Sequence, residues 1–278
     1  IRDVRSAAEA RFGPLPARVV VGRPVRFGGA REDLNSDADP ASASECPGEP
    51  EGDAYALQRL RRALALGGFT EVVFEYEPVA AAYHYEGTLS HDELVLIADF
   101  GGGTSDFCLM RVGPSVRAAR DKSQDKTGAA ILGTEGLPLA GDALDSRIVR
   151  NLVAPLLGQG SHYLTGKKRM PVPPWLYGRL SRWHHLSFLK SRDTLKLLDD
   201  IQRGAEEPAA IAALRHLVEC ELGYRLYQSV ERVKVELSQA ERSRLHFHDG
   251  PVAIDCEATR AEFEGWIAPE TAAIERAV

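Results

Sequence analysis

The residues with the clearest chemical potential form the segment Asp99-Phe-Gly-Gly-Gly-Thr-Ser-Asp106. Three consecutive glycines can take positive φ values and expose backbone N–H groups where a β-carbon would obstruct a ligand. Backbone donors in a concavity bind phosphate oxygens, and the Thr104 hydroxyl adds another donor. Asp99 can hold water on a Mg²⁺ ion that bridges nucleotide phosphates. The segment predicts a phosphate-binding hairpin. Its cradle is formed by Gly101, Gly102 and Gly103.

The second carboxylate of this segment is Asp106, two residues past Thr104 and on the same side of the returning strand. That position makes it a candidate for orienting an attacking water. The segment lacks the Gly-Lys-Ser/Thr of a P-loop and the helix that follows a dinucleotide-binding GxGxxG. The remaining alternative is an ordinary glycine-rich hairpin without a ligand.

A second candidate group lies on a predicted helix, where Glu231, Lys234 and Ser238 are spaced by three and four residues. That spacing places an acceptor for ribose hydroxyls, a cation and a hydroxyl on one helix face. The alternative is a solvent-facing ion pair between the glutamate and the lysine.

Two further positions are candidates because of where they fall in predicted elements. Gly141 and Asp142 begin a helix, whose free N–H groups and positive dipole end favour an anion, although capping alone also explains the aspartate. Glu77 precedes Pro78, which favours an extended conformation for the glutamate at the mouth of a cleft. A plain surface carboxylate is the alternative for Glu77.

The elements that position these residues follow an α/β pattern. Residues 94–100 are almost wholly apolar until Asp99, which predicts a buried central strand leading into the hairpin. Gly-, Asp- and Ser-rich composition predicts a mobile loop over 28–52. Further along, the sequence predicts these elements: a loop over 158–174, long helices over 175–203 and 208–239 with a bend near Gly223, a β-hairpin over 244–256, and a helix from Thr259 with Glu262 at the capping-box position.

Composition excludes several classes of protein. The chain has 34 Lys and Arg against 40 Asp and Glu, so no general positive field would gather nucleic acid or an anionic membrane. No apolar run is long enough to span a bilayer, and the four scattered cysteines fit neither a zinc site nor a disulfide framework. A soluble, cytoplasmic protein is expected. The conspicuous aromatic residues are assigned to a core or a partner surface: Trp175, Tyr177, Trp183 and Phe188.

The hairpin in its longer context, Leu96 to Asp106, resembles the second phosphate motif of the DnaK-type heat-shock chaperones. Four other segments follow in that family's order. They are Glu75–Ala82, similar to the connecting segment; Leu139–Asp145, similar to a glycine-acid turn; Val230–Ser238, similar to the adenosine helix; and Ala258–Glu264, similar to the helix after the tip strands. Gly160–Pro173 and Trp183–Leu189 resemble the YegD-like branch, which lacks a peptide-binding domain.

This resemblance implies an actin-like ATPase (ribonuclease H-like) α/β fold with ATP or ADP and Mg²⁺ as cofactors. It implies catalytic roles for Asp99, Asp106 and Glu77, with Glu77 coupling nucleotide state to lobe movement, and a protein client or co-chaperone as partner. It divides the chain into a remnant of lobe I (1–88), a lobe II base with the hairpin (89–140), a helical tip (141–257) and the start of the return to the base (258–278).

The sequence also departs from the family pattern. Val235 stands where the family has an arginine that stacks on adenine, so the base loses a cation–π partner. The family's first phosphate motif and second adenosine motif are not found, which predicts an incomplete fold with part of lobe I and most of lobe II. ATP hydrolysis is therefore expected of a complete protein and not of this piece alone. The alternatives are a nucleotide-gated interaction module and a small-molecule kinase on the same fold.

Overall fold

The computed structural model describes residues 1–27, 50–122 and 130–278, and it shows a mixed α/β protein with small sheets. The described residues divide into two compact units. Unit 1 comprises 1–27, 50–122, 130–140 and 274–278, and unit 2 comprises 141–273. No helix in the described part of the chain is both long and apolar enough to cross a membrane.

Unit 1 alternates helices and strands. In chain order its elements are α1 (Arg2–Phe12), β1 (Arg18–Arg23), α2 (Pro50–Leu66), β2 (Glu71–Tyr76), α3 (Glu77–Glu86), β3 (Glu93–Phe100), β4 (Ser105–Val112), α4 (Pro114–Lys122) and β5 (Ile131–Leu137). Strands β1 and β2 pair in parallel, and β3, β4 and β5 form an antiparallel sheet in that order. The predicted loop over 28–52 lies outside the described residues except for its last three, which belong to α2.

The core of unit 1 forms where one face of the β3–β4–β5 sheet packs against helix α3. Alternation along β3 and β4 directs every second side chain to this face, as the two-residue period of a strand requires. Its buried members are Val79, Ala82, Cys108, Met110, Val112 and Ala130.

The prediction of a buried central strand over 94–100 is wrong. Within the described residues the middle strand is β4, and β3 lies at the edge of the sheet. The exposed face of β3 carries Leu94 and Leu96, which are 61% and 53% exposed. An apolar run therefore did not distinguish a strand buried on both faces from one buried on a single face.

Unit 2 is mainly helical, with two hairpins. Its elements are α5 (Gly141–Ile148), a π-helical turn (Val149–Val153), a 3-10 turn (Pro155–Leu157), β6 (His162–Thr165), β7 (Lys168–Pro171), α6 (Pro174–Leu180), a 3-10 turn (Trp183–His185), α7 (Leu186–Leu189), α8 (Arg192–Gly204), α9 (Pro208–Glu219), α10 (Gly223–Gln239), β8 (Arg242–Asp249), β9 (Val252–Thr259) and α11 (Arg260–Ala277), which extends beyond the unit.

A single large apolar core holds unit 2 together, with Leu180, Ile201, Leu214 and Leu226 fully buried within it. Local capping fixes where helices α8 and α11 begin. The Ser191 hydroxyl accepts the Thr194 N–H at 3.2 Å before α8. Before α11, the Thr259 N–H donates to Glu262 at 2.9 Å and the Thr259 hydroxyl accepts the Glu262 N–H at 3.2 Å, which confirms the predicted capping box.

Of the other predictions for unit 2, some are confirmed and some are wrong. The hairpin over 244–256 is confirmed as β8 and β9, and the helix over 208–239 is interrupted before Gly223 as predicted. The predicted loop over 158–174 is wrong because it contains the hairpin β6–β7. The predicted helix over 175–203 is also wrong. It is broken after Leu180, whose carbonyl accepts the Tyr227 hydroxyl at 3.1 Å.

Candidate functional site

The hairpin that the sequence predicts to bind phosphate lies in unit 1 as the turn between β3 and β4. Asp99 and Asp106 are direct partners in the antiparallel register, so their side chains lie on the same face of the pair. The Gly101 N–H donates to the Thr104 carbonyl at 2.9 Å and closes the turn. The two carboxylates therefore stand together beside the glycines.

The glycines of this hairpin do not adopt the conformation that the sequence predicted. Positive φ values occur at other described glycines and at none of Gly101, Gly102 and Gly103. A β-carbon on Gly103 would meet no atom within 4 Å, and one on Gly101 would lie 3.4 Å from the Thr104 carbonyl oxygen. Neither backbone conformation nor crowding within the chain demands glycine at these two positions.

Asp106 is buried and hydrogen-bonded within unit 1. Its side chain is 1% exposed, and both of its oxygens accept hydrogen bonds. The Val25 N–H, just past β1, donates to Oδ1 at 2.5 Å, and the Thr104 hydroxyl donates to Oδ2 at 2.9 Å. Beside it, a β-carbon on Gly136 would lie 2.8 Å from the Arg26 nitrogen, so β5 must have glycine there. Asp106 thus ties the hairpin to the end of β1.

Glu77 lies close to the same carboxylates, but its backbone is not extended. It is the first residue of α3, and the extended residue is Tyr76 immediately before it. The extended conformation predicted for Glu77 is found one residue earlier, at Tyr76. The reason is that the first turn of a helix tolerates the proline that follows Glu77. A β-carbon on Gly22 would lie 3.1 Å from Glu77 Cγ, which places the glutamate against β1.

The electrostatic environment of Glu77 links it to the hairpin. Burial raises the pKa of Glu77, and the charges of Asp106 and Asp99 raise it further. Three acidic side chains converge here, and a cation would relieve their mutual repulsion. No group of three His, Cys, Asp or Glu side chains in the described ranges is arranged to ligate a metal ion directly. A cation at this position would need ligands from water or from a bound anion.

The second candidate group is assembled in unit 2 around Lys234. Its ammonium group lies 2.8 Å from Asp145 Oδ1 and 3.5 Å from the Gly141 carbonyl oxygen, joining α10 to the start of α5. Asp142 lies in the first turn of α5, and its Oδ2 accepts the indole N–H of Trp183 at 2.8 Å. The lysine is therefore paired with Asp145, and the predicted alternative of a Glu231–Lys234 ion pair is wrong.

Sequence analysis did not single out Asp145 within its motif. The side chain is largely buried, and burial raises its pKa against the opposing effect of Lys234, while the charges of Asp142 and Glu231 raise it further. These interactions place all four ionisable groups in one cluster. The spacing of Asp142 and Asp145, three residues apart on one helix, was the signal that could have identified it.

The other residues predicted for this group, Glu231 and Ser238, lie at the surface. The Ser238 hydroxyl donates to the Val235 carbonyl of its own helix at 2.6 Å. Of the conspicuous aromatic residues, Tyr177 is in the core, whereas Trp183 and Phe188 are 54% and 58% exposed. For these two residues the core assignment is wrong.

Replacing Lys234 with methionine should destabilise unit 2 by about 2 kcal/mol at neutral pH, because it leaves the Asp145 carboxylate buried without its cation. The folded-state pKa of Asp145 is already raised, so its ionisation opposes folding as pH rises. The variant should lose more stability than the parent between pH 4 and pH 8. Urea denaturation followed by tryptophan fluorescence measures this, since Trp175, Trp183 and Trp266 all lie in unit 2.

Two matched variants make this result specific. Arg232→Met removes a cation from the exposed side of the same helix, 3.8 Å from Glu236, and should change stability by less than about 0.5 kcal/mol. Adding Asp145→Asn to Lys234→Met should restore most of the loss. Equal effects of the lysine and arginine substitutions would contradict a buried pair.

Comparison with known proteins shows which proteins the chain resembles. No protein-family model matches the chain. It is 27% identical over 195 residues to the chaperone protein DnaK of Prochlorococcus marinus (strain MIT 9515), covering 68% of this chain and 21% of that protein. It is 25% identical over 195 residues to the chloroplastic stromal 70 kDa heat shock-related protein of Pisum sativum, covering 68% of this chain and 19% of that protein.

The corresponding Spinacia oleracea protein is also 25% identical, with 22% of its length covered. The chain spans about a fifth of the length of the curated relatives it matches. These similarities support a relationship to the 70 kDa heat-shock chaperones.

Proposed function

We propose that this chain binds ATP as part of a chaperone-type ATPase with an actin-like fold. The observation that carries the proposal is the unexplained glycine at position 103. Glycine costs conformational entropy, and neither φ nor steric crowding requires it there. Close approach of a ligand to the backbone is a physical reason for glycine at the tip of a turn that fits both observations. The motif and the relationship to heat-shock chaperones favour a nucleotide phosphate as that ligand.

Within this proposal, each group of residues has a separate task. The N–H groups of Gly102 and Gly103 bind phosphate oxygens, because the Gly101 N–H already bonds to the Thr104 carbonyl and the Thr104 hydroxyl already donates to Asp106. Asp106 fixes the turn by its bonds to Val25 and Thr104. Asp99 would hold Mg²⁺ through water, and the bound ion would supply positive charge against the phosphates. Glu77, whose pKa is raised by burial and by its acidic neighbours, is the candidate for orienting the attacking water.

The cluster in unit 2 is assigned to the nucleoside. Glu231, Lys234 and Ser238 present polar groups along α10, and Gly141 and Asp142 begin the neighbouring helix α5. Lys234 is held by Asp145, so its ammonium group is fixed in position before any ligand arrives. The assignment to the YegD-like branch, on residues 160–173 and 183–189, is part of the same proposal, as are a cytoplasmic location and a protein client or co-chaperone.

The binding proposal is tested by calorimetric titration of this chain with ATP and ADP in the presence of Mg²⁺. Saturable binding with one nucleotide per chain is expected, and tripolyphosphate should compete for the hairpin. A chain that is folded by circular dichroism and binds neither ATP nor tripolyphosphate would refute the proposal.

Replacing Asp99 with asparagine should suppress ATP turnover by about 100-fold in a protein that contains this chain and hydrolyses ATP, because the neutral amide no longer organises metal-bound water. ATP affinity should fall by less than tenfold, since the phosphate donors remain. Single-turnover assays measure the first quantity and calorimetry the second. Turnover equal to that of the parent would remove Asp99 from the mechanism.

A nucleotide-gated interaction module with little ATP turnover is the second candidate. The burial and hydrogen bonding of Asp106 favour it. Both oxygens of this carboxylate already accept a hydrogen bond from the protein, and the side chain is only 1% exposed, so it is poorly placed to orient a water. Glu77 and Asp99 are then the remaining acids at the hairpin. Single-turnover hydrolysis separates the two candidates, because a gated module binds ATP without releasing phosphate.

A further inference from the structure

A groove lies on the surface of unit 2 between helix α10 and strand β8, which pack against each other. Its volume of about 350 Å³ is near the lower end of the range of about 300–1,000 Å³ that small-molecule sites occupy. Among the described residues, no aspartate or glutamate lines this α10–β8 groove. Its lining is basic and polar around one phenylalanine, and it includes Arg225, Gln228 and Arg232 from the helix and His246, Phe247 and His248 from the strand.

Regular spacing in two elements brings these basic groups to one groove. Arg225, Gln228 and Arg232 follow one another at intervals of three and four residues, which places them on one face of α10. His246 and His248 are two residues apart in β8, so both rings leave the strand on the same side. Hydrogen-bond donors therefore stand on two walls of the groove.

Arg225 is held in position but keeps most of its donors. Its Nη1 donates to Asp249 Oδ2 at 2.6 Å, and the other oxygen of that carboxylate bonds to His216 Nε2 at 3.0 Å. Its guanidinium carbon lies 5.8 Å from the centre of the Phe247 ring. The side chain is nevertheless 56% exposed. Because a guanidinium has five N–H donors, Arg225 can bind a further anion from the groove.

The other basic groups are paired only weakly with acids of the chain. Arg232 Nε lies 3.8 Å from Glu236 Oε1, too far for a hydrogen bond. His246 Nδ1 likewise lies 3.8 Å from Asp255 Oδ1, and that oxygen accepts instead from Arg244 Nε at 2.5 Å. The donors of the arginine and the histidine are therefore available to a ligand.

Donors on two walls fit a phosphate group better than a carboxylate. A carboxylate is planar, and one arginine fork satisfies both of its oxygens. A phosphate is tetrahedral, so its oxygens can accept from a helix and from a strand at the same time. Arginine suits such an anion because its planar guanidinium offers several donors in fixed directions.

We propose that the α10–β8 groove binds a small molecule through a phosphate group, with Arg225 and Arg232 as its charged ligands and His246 and His248 as further donors. All four residues belong to unit 2. The site uses no residue of the hairpin and no Mg²⁺, so it stands whether or not the chain binds ATP.

Titration of this chain with inorganic phosphate, without Mg²⁺ and at constant pH and ionic strength, tests the inference. The ring C–H proton resonances of His246 and His248, assigned by His246→Gln and His248→Gln, should shift saturably with phosphate and with glycerol 3-phosphate. Acetate should not shift them saturably. Absence of a saturable shift with phosphate, or an equal response to acetate, would overturn the inference. A phosphoserine peptide that binds more than about tenfold more tightly than glycerol 3-phosphate would overturn the assignment to a small molecule.

Matched arginine variants separate the groove from the general charge of unit 2. Arg225→Gln/Arg232→Gln should weaken phosphate binding by about tenfold or more, because two charge-assisted bonds are lost. The fold should persist, since Asp249 keeps its bond to His216.

The control Arg203→Gln/Arg242→Gln removes the same charge from exposed ion pairs of unit 2 outside the groove. It should weaken phosphate binding less than about threefold. Equal weakening by the two double variants would show that phosphate responds only to net charge, and would overturn the site.

Discussion

Replacing Gly103 by alanine should weaken ATP binding by about tenfold or more while the fold stays intact, because one blocked charge-assisted hydrogen bond is worth about 1.5–3 kcal/mol. The new β-carbon meets no atom of the chain within 4 Å, and φ at this position is not positive. Glycine-to-alanine changes at such positions stabilise proteins by about 0.4–1 kcal/mol through the unfolded state. Loss of affinity with a gain in stability is the expected combination.

The chain offers a close control for this experiment. Gly133 lies in β5 of the same sheet, has no positive φ, and likewise has no atom within 4 Å of the place that a β-carbon would occupy. Gly133→Ala should leave ATP affinity unchanged. Calorimetry gives the affinities and chemical denaturation gives the stabilities. If Gly103→Ala binds ATP as tightly as Gly133→Ala does, the hairpin is not the phosphate cradle.

The local features of the hairpin were predictable from sequence. An apolar strand, three glycines and a returning strand follow one another within residues 94–112, so no distant contact was needed to recognise them. The capping box before α11 was predictable for the same reason, since Thr259 and Glu262 bond within one turn. Both depend on interactions between residues only a few positions apart.

Long-range contacts were not predictable in the same way. Asp106 Oδ1 accepts a hydrogen bond from a backbone N–H 81 positions earlier, at Val25, and this contact ties the hairpin to the end of β1. The exposure of Leu94 and Leu96 depends on which strands lie beside β3. The pairing of Lys234 with Asp145 instead of Glu231 likewise depends on how α10 packs on α5. Spacing along the chain indicates which residues share a face, but it does not show what that face contacts.

The hairpin β6–β7 was missed for a related reason. Residues 158–174 contain glycine, basic residues and proline, a composition typical of loops. The side chains of the two strands are exposed or only partly buried. Pairing of His162–Thr165 with Lys168–Pro171 across Gly166, which has a positive φ of 61°, makes it a hairpin. Backbone pairing and the packing of Tyr163 against the unit 2 core hold these strands, without the apolar alternation that sequence analysis uses.

Replacing Glu86 by alanine should destabilise unit 1 by about 3 kcal/mol, the scale expected when one member of a buried ionic network is removed. Glu86 is 1% exposed at the end of α3. It accepts from Arg120 Nη2 at 2.6 Å, Arg117 Nε at 3.3 Å and the Gly113 N–H at 3.1 Å. The substitution leaves two guanidinium groups and a buried N–H without this partner. Helix α4 then keeps only the weaker part of its attachment to α3, the bond from Arg117 Nη2 to the backbone carbonyl of residue 86 and the contact of Arg120 with the Tyr83 ring.

The same network predicts a dependence on pH. Burial alone would raise the pKa of Glu86, but bonds from Arg120, Gly113 and Arg117 outweigh it and hold the pKa below its ordinary value. A carboxyl with a lowered folded-state pKa stabilises the fold at pH values above its unfolded pKa of about 4.3, and this contribution is lost as the pH falls through the folded value. Glu86→Gln should therefore reduce the loss of unit 1 stability on acidification.

Hydrogen exchange measured by mass spectrometry is the appropriate readout, because the tryptophans all lie in unit 2. Glu86→Ala should accelerate exchange in peptides of β4, in unit 1, by about 100-fold, the equivalent of about 3 kcal/mol at 1.4 kcal/mol per factor of ten, and leave peptides of α9, in unit 2, unchanged. Glu93→Ala is the matched control, since Glu93 makes an exposed bond to the Tyr85 hydroxyl at 3.0 Å. Its effect should stay below about 1 kcal/mol. Similar acceleration in both variants would show that the buried glutamate does not hold α4 in place.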